Sequence, residues 1–203
     1  MLAFYAGRLG TVEANATFYR MPKAETLAAW RAEVPATFVF ALKAPQRITH
    51  VKRLSGADDL VAAFHRAAAE LGPALGPVLY QLPPSMKKDL PRLQGFLAAL
   101  PAGGRAAFEF RHASWLDEAV FSRLRDRNLA LCVADSEKMS TPALATADYS
   151  YFRLRDEGYQ PADLQQWARV VREMPGPRDA FIYFKHEEQG KGPEFARIFM
   201  SAL

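Results

Sequence analysis

Residues 12–19 read VEANATFY, a pattern in which polar and apolar side chains alternate. Alternate side chains of a β-strand point to the same side, so a strand here would place Glu13 and Asn15 on one face and Val12 and Phe18 on the other. A carboxylate and a carboxamide on a strand need either water or a polar interior. The pattern therefore predicts a strand over residues 11–18 whose polar face lines a site or faces solvent.

The composition is that of one globular domain. The chain has 203 residues, of which 50% are hydrophobic, and its net charge of +4 is compatible with anionic substrates or with nucleic acid. The single Cys132 excludes an internal disulfide. No repeat or linker divides the sequence, so it predicts a single domain over residues 1–203. Its N-terminal residues show no charged region followed by a long apolar stretch, and no segment has the ~18 apolar residues that a membrane helix needs. We therefore expect a cytoplasmic protein without membrane contact.

Seven short apolar runs, each followed by a turn or a helical pattern, predict seven β-strands. They are residues 11–18, 38–45, 77–84, 106–112, 129–135, 149–156 and 180–187. Helices are predicted at residues 24–33, 57–71, 89–99, 115–127, 162–173 and 193–202. Strands that are almost continuously apolar and alternate with helices are typical of a parallel sheet covered by helices.

Polar residues at the ends of these runs distinguish two parallel architectures. Six runs carry a charged residue at or near the C-terminal end, and the third ends with neutral Gln81. A (β/α)₈ barrel builds its site from many strand ends, whereas an open sheet uses mainly those at one crevice. The sequence therefore predicts an α/β, TIM-barrel-like fold with a polar mouth. Such a barrel has eight strands, and seven are visible in this chain.

Several segments together resemble the YecE-like family, also called domain of unknown function 72. They are TVEANATFYRMP (11–22), FVFALKAPQRITHVKRL (38–54), LYQLPPSMK (79–87), FEFRHASW (108–115), YSYFRLRDEGY (149–159) and YFKHEEQGKGPEFA (183–196). The resemblance implies a TIM-barrel-like fold with a polar mouth and no settled biochemical activity. Members of the family begin with an extra segment that carries a first strand. Because residues 1–9 resemble the helix after that strand, we expect the first strand to be missing here.

Inward-facing polar residues near the strand ends are the candidate site residues. The candidate catalytic residues are Glu13, Lys43, Glu109 and Asp135. The carboxylates would transfer protons or orient a water, and Lys43 would be a fixed cation, the partner of Glu13, or a Schiff-base amine.

The candidate substrate-binding residues are Asn15, Tyr19, Gln81, Arg111, Arg153, Lys185 and His186. Guanidinium groups bind phosphate or carboxylate through paired donors, and Tyr19 offers a stacking face. Glu109 and Arg111 are equally compatible with a structural ion pair.

A divalent metal is a weaker interpretation of the same residues. Glu13, Glu109, Asp135 and His186 are possible ligands, and His50 and His112 follow strands at the same end. The chain lacks the several inward histidines of a multi-zinc site, so a metal is not favoured. No dinucleotide-binding motif is present, and the sequence identifies no cofactor.

The sequence therefore favours a barrel enzyme that acts on a small anionic or phosphorylated substrate. One alternative is a nucleic-acid end-binding protein, in which the same cations contact phosphates and the aromatic residues stack on bases. Another is a shortened form without activity. No serine–histidine–acid order is visible, so a covalent hydrolase is not predicted.

Overall fold

The computed structural model describes residues 1–135, 139–156, 158–185 and 190–203. They form two compact units, Met1–Trp115 and Leu116–Leu203. The single domain expected from the sequence stays a prediction.

The first unit contains four parallel strands in sequence order. They are β1 (Thr11–Ala14), β2 (Val39–Lys43), β3 (Leu75–Gln81) and β4 (Ala106–Glu109). Its α-helices are α1 (Leu2–Ala6), α2 (Ala16–Tyr19), α3 (Ala24–Ala32), α4 (Asp58–Ala68) and α5 (Leu90–Ala99). A π-helical turn covers Arg47–Val51, and 3₁₀ turns cover Ala69–Ala74 and Ala113–Trp115.

Aromatic packing secures the C-terminal half of this unit. The Tyr80 ring stacks on Phe108 at 5.3 Å, and the Phe110 ring stacks on Trp115 at 4.9 Å between centroids. Trp115 also donates its indole N–H to the Met86 carbonyl at 2.7 Å, which satisfies its only polar group. Since Phe108 packs with these rings, the next residue of β4, Glu109, points to the other side of the sheet.

The described residues of the second unit form three parallel strands and three helices. The elements are α6 (Glu118–Arg125), β5 (Ala130–Asp135), β6 (Tyr149–Leu154), α7 (Pro161–Glu173), β7 (Asp179–Phe184) and α8 (Lys191–Met200). Strand β6 lies between β5 and β7. Its residues Phe152 and Leu154 form a buried cluster with Val133 of β5, Leu164 of α7 and Phe195 of α8. No helix among the described residues is both long and apolar enough to span a bilayer.

The prediction of a strand over residues 11–18 is wrong beyond Ala14. Strand β1 ends there, Asn15 has a helical backbone (φ −79°, ψ −17°), and Ala16–Tyr19 form the short helix α2. The Thr17 hydroxyl explains the change of direction, because it contacts the Ala14 carbonyl at 2.9 Å and the Lys43 carbonyl at 2.7 Å. It thereby joins the end of β1 to the end of β2. Each of the other six runs contains a strand, as predicted.

Replacing Thr17 with Val should destabilise the protein by about 1–3 kcal/mol. The substitution removes, at nearly constant volume, a buried hydroxyl that lies within hydrogen-bond distance of two carbonyls. Urea unfolding measures the change in the free energy of unfolding. The matched control is Thr26→Val on the exposed face of α3, which should change stability by less than about 0.5 kcal/mol. Equal effects of the two substitutions would show that the contacts of Thr17 do not hold the two strand ends together.

Candidate functional site

Four polar residues project from one face of the first unit's sheet. The strand register pairs Glu13 with Ala41, Lys43 with Leu79, and Gln81 with Glu109. Paired residues of neighbouring strands point to the same side, and residues two apart on one strand do so as well. Glu13, Lys43, Gln81 and Glu109 therefore share a face. Each is the last or next-to-last residue of its strand, so the polar groups gather at the C-terminal end of the sheet.

The carboxylate of Glu109 is the most deeply buried charged group of this face. The residue is 1% exposed, and Gln81 Nε2 donates to both of its oxygens, at 2.9 Å to Oε1 and 2.8 Å to Oε2. Arg111 Nε lies 4.0 Å from Oε1, and the Arg111 side chain is partly exposed. These donors compensate the desolvation of the carboxylate and fix its orientation.

Lys43 ends β2 and is 8% exposed. Its Nζ lies 4.0 Å from the ring centroid of Phe18, which is a cation–π contact. Phe18 reaches this position because the chain turns into α2 after β1 instead of continuing as a strand. The helical turn at residues 15–19 thus places an aromatic ring against the lysine of the neighbouring strand.

His50 joins this group from the π-helical turn that follows β2. Its ring meets Phe18 edge-to-face at 5.0 Å, and its Nδ1 is 2.9 Å from the Thr49 hydroxyl. Burial lowers the pKa of His50, the nearby cations Lys43 and Arg111 lower it further, and Glu109 opposes them. Arg53 also lowers this pKa. The sequence had indicated His50 only as a possible metal ligand, and its place after β2 was the available signal.

Two further candidates lie beside this face. Asn15 is half-buried, and its amide nitrogen is 3.5 Å from the Glu13 carbonyl. Tyr19 is 75% exposed and packs edge-to-face on Phe18 at 5.1 Å. Six of the predicted residues, Glu13, Asn15, Tyr19, Lys43, Gln81 and Glu109, therefore belong to β1–β4 or to the turn after β1, and Arg111 contacts Glu109.

The second unit holds the remaining candidates, and here one expectation needs correction. Arg153 is 1% exposed and pairs with Ala134 and Tyr183 on the neighbouring strands. Asp135 pairs instead with Leu154, so it lies on the opposite face of the sheet from Arg153. Its carboxylate accepts a 2.6 Å hydrogen bond from the Tyr159 hydroxyl, on the side of the apolar cluster.

The Tyr159 hydroxyl stays protonated in this arrangement. Burial raises its pKa, and the hydrogen bond to Asp135 raises it further. Lys185 follows β7 and is half-buried, whereas His186 lies outside the described residues. Asp135 therefore has a partner in Tyr159, and it does not share the face of the sheet on which Arg153 lies.

The possible metal ligands do not assemble within the described part of the chain. No group of three or more His, Cys, Asp or Glu side chains is arranged there to hold a metal ion. His112 instead has a local role. Its Nδ1 lies 2.9 Å from the Ser114 hydroxyl and accepts the Ser114 backbone N–H at 3.2 Å.

Solved structures define the fold class as a TIM-barrel-like α/β fold. A DUF72 family protein from Enterococcus faecalis V583 matches with a TM-score of 0.90 over 100% of this chain and 88% of that chain, at 18% sequence identity. One from Thermotoga maritima MSB8 matches with a TM-score of 0.83 over 95% of this chain and 84% of that chain, at 25% identity. The fold predicted from the sequence is confirmed.

The chain belongs to the family described as "Protein of unknown function DUF72", whose family model matches residues 1–203. It is also 33% identical, over 126 residues, to the UPF0759 protein YecE of Escherichia coli strain K12. That match covers 62% of this chain and 46% of YecE, so it spans less than half of the relative's length. The family resemblance inferred from the sequence is confirmed, and none of these descriptions names a substrate or an activity.

A double-mutant cycle tests the coupling of Gln81 to Glu109. Gln81→Met should cost about 1–3 kcal/mol in the wild-type background, because it removes the donor that contacts both oxygens of a buried carboxylate. The same change should cost less in the Glu109→Gln background, where no buried charge is left uncompensated. Urea unfolding of the four proteins measures the difference, and additive costs would contradict the coupling.

Proposed function

We propose that the C-terminal ends of β1–β4 form the active site of an enzyme that acts on a small anionic or phosphorylated substrate. In this site, Lys43 and Arg111 bind the negative charge, and Glu109 or Glu13 transfers a proton or orients a water. The observation that carries the proposal is the shared face of Glu13, Lys43, Gln81 and Glu109, at the end of the sheet where barrel enzymes place their catalytic groups.

The balance of charge beside His50 supports an anionic ligand. Three cations, Lys43, Arg111 and Arg53, lower the pKa of His50, and one carboxylate, Glu109, raises it. Glu13 adds a second carboxylate on the same face of the sheet, so the cations remain in excess. Cations in a partly desolvated pocket attract anions more strongly than they do in water. Arg111 suits this task because its guanidinium is partly exposed while its Nε remains near Glu109.

The buried carboxylate supports chemistry in addition to binding. Glu109 is fixed by Gln81 and lies 4.0 Å from Arg111, one of the cations that would hold the substrate, so a bound anion would meet a preorganised base. Arg153 and Lys185 of the second unit remain predicted binding residues, and Asp135, which accepts a hydrogen bond from Tyr159, is not part of the proposed site.

One observation favours the second candidate function, nucleic-acid end binding. Tyr19 is an exposed aromatic residue that packs on Phe18, and the Phe18 ring makes a cation–π contact with the Lys43 ammonium. An exposed ring beside cations is suited to stacking on a base while the cations contact phosphates. Binding of an oligonucleotide would weaken steeply with salt, whereas turnover of a small substrate would persist.

Inorganic phosphate should raise the melting temperature of the wild-type protein, because a ligand that binds only the folded state stabilises it. Arg111→Gln should weaken phosphate binding by about tenfold or more, since charge-assisted hydrogen bonds contribute roughly 1.5–3 kcal/mol. The control is Arg123→Gln on α6, where Arg123 pairs with Asp126 at the surface. This control should keep the full phosphate-induced shift. The comparison uses the shift within each variant, and equal shifts in all three proteins would contradict the role of Arg111.

A panel of phosphorylated small molecules, followed by phosphorus NMR, should include a compound that the wild-type protein converts. Glu109→Gln should reduce that turnover by about 100-fold or more, because a neutral amide cannot accept a proton as the carboxylate does. The fold of the variant is checked by its urea midpoint. Turnover that survives in Glu109→Gln would show that Glu109 takes no part in the chemistry.

If phosphate neither stabilises the wild-type protein nor is found at Lys43 in crystals, the proposal of an anion site is wrong.

A further inference from the structure

The loop after β2 holds His50 in an uncommon backbone conformation. Arg47–Val51 form a π-helical turn, and two non-glycine residues that follow, Arg53 (φ 48°) and Leu54 (φ 68°), are left-handed. Leu54 is buried and donates its N–H to the Ile48 carbonyl at 3.0 Å, so the conformation is tied down. Single π turns and left-handed residues with large side chains cost energy and are frequent at functional sites.

The surroundings of His50 comprise aromatic, polar and charged groups from four segments. Phe18 comes from α2 and Thr49 from the turn itself. The charges are Lys43 at the end of β2, Glu109 and Arg111 at or just beyond the end of β4, and Arg53 in the loop. Phe18 connects two of these groups, because it contacts both the Lys43 ammonium at 4.0 Å and the His50 ring at 5.0 Å.

We propose that His50 couples anion binding to proton uptake: a tetrahedral oxyanion held by Lys43 and Arg111 draws a proton from solvent onto the imidazole. This inference rests on the proposed anion site and adds its ligand class, a doubly charged oxyanion such as a phosphate monoester. At a pH between the His50 pKa values of the ligand-free and the ligand-bound protein, the ligand thereby adds one more positive charge to the site.

The charges explain why the coupling has this direction. Without ligand, burial and the positive charges of Lys43, Arg111 and Arg53 lower the pKa of His50, and the single carboxylate of Glu109 offsets them only in part. A bound dianion opposes those positive charges, so the pKa of His50 rises when the ligand binds. By linkage, the anion binds more tightly as pH falls below the His50 pKa of the complex. Its affinity becomes constant below the lower pKa of the ligand-free protein.

Sulfate is the probe of choice, because its charge stays constant over the range in which histidine titrates. Its dissociation constant is measured by calorimetry at a series of pH values. The affinity of the wild-type protein for sulfate should increase by up to about tenfold for each unit by which the pH falls between the two His50 pKa values. In His50→Gln the affinity should be nearly independent of pH, since glutamine stays neutral. The matched control is His112→Gln, the histidine after β4, which should keep the wild-type dependence.

Histidine NMR gives a second readout on the unaltered protein. The chain has four histidines, and the ring signal that is missing from His50→Gln identifies His50. Adding sulfate to the wild-type protein should raise the midpoint of that signal's titration. The through-space NMR contact of the His50 ring with Phe18 gives the same assignment in the wild-type protein, so the measurement remains possible even if the His50→Gln variant fails to fold.

The outcomes separate the two proposals. Sulfate that binds wild type and His50→Gln with the same pH dependence, and leaves the His50 midpoint unchanged, would overturn the proton coupling and leave the anion site intact. Absence of sulfate binding to the wild-type protein at every pH would overturn both. A steep pH dependence that disappears in His50→Gln and persists in His112→Gln supports the coupling.

Discussion

The hydrogen bonds between Gln81 and the buried carboxylate of Glu109 set the strongest constraint on the first unit. An uncompensated buried charge costs several kcal/mol, so this carboxylate needs its donors. The donors are available only when Gln81 is paired with Glu109 across β3 and β4. A slip of one residue would exchange Glu109 with Phe108, moving the charge among aromatic rings and exposing a ring to the polar face. The hydrogen bonds between Gln81 and Glu109 therefore fix the register on which the candidate site depends.

The fold could be predicted from the sequence because its signals are local. Apolar runs separated by helical patterns indicate the strands, and polar residues at the ends of these runs indicate the end of the sheet that carries the candidate site. The failure at residues 15–19 has a non-local cause. The Thr17 hydroxyl binds the Lys43 carbonyl, 26 positions away, and this contact favours a helical turn where the alternating pattern indicates a strand. Local periodicity carries no information about such a partner.

The candidate site was predictable to a different degree in each strand. In residues 106–112, apolar rings alternate with Glu109 and Arg111, so the pattern itself identifies the polar face. Strand β5 reads ALCVAD and is apolar on both faces, so its pattern does not show which way Asp135 points. That direction follows from pairing with Leu154 and from the hydrogen bond of Tyr159, both of which require the folded chain. His50 lies in a π-helical turn, which no short sequence motif predicts.

The site keeps its charges in place through contacts that do not require a ligand. Lys43 lies over the Phe18 ring, Arg111 is near Glu109, and Glu109 is bound by Gln81. Because these side chains are already ordered, ligand binding costs less of their conformational entropy. The same contacts explain why His50 is the adjustable member of the group: lysine and arginine stay charged at neutral pH, and only an imidazole changes its charge within that range. A change in ligand charge at the proposed site would therefore alter mainly the charge of His50.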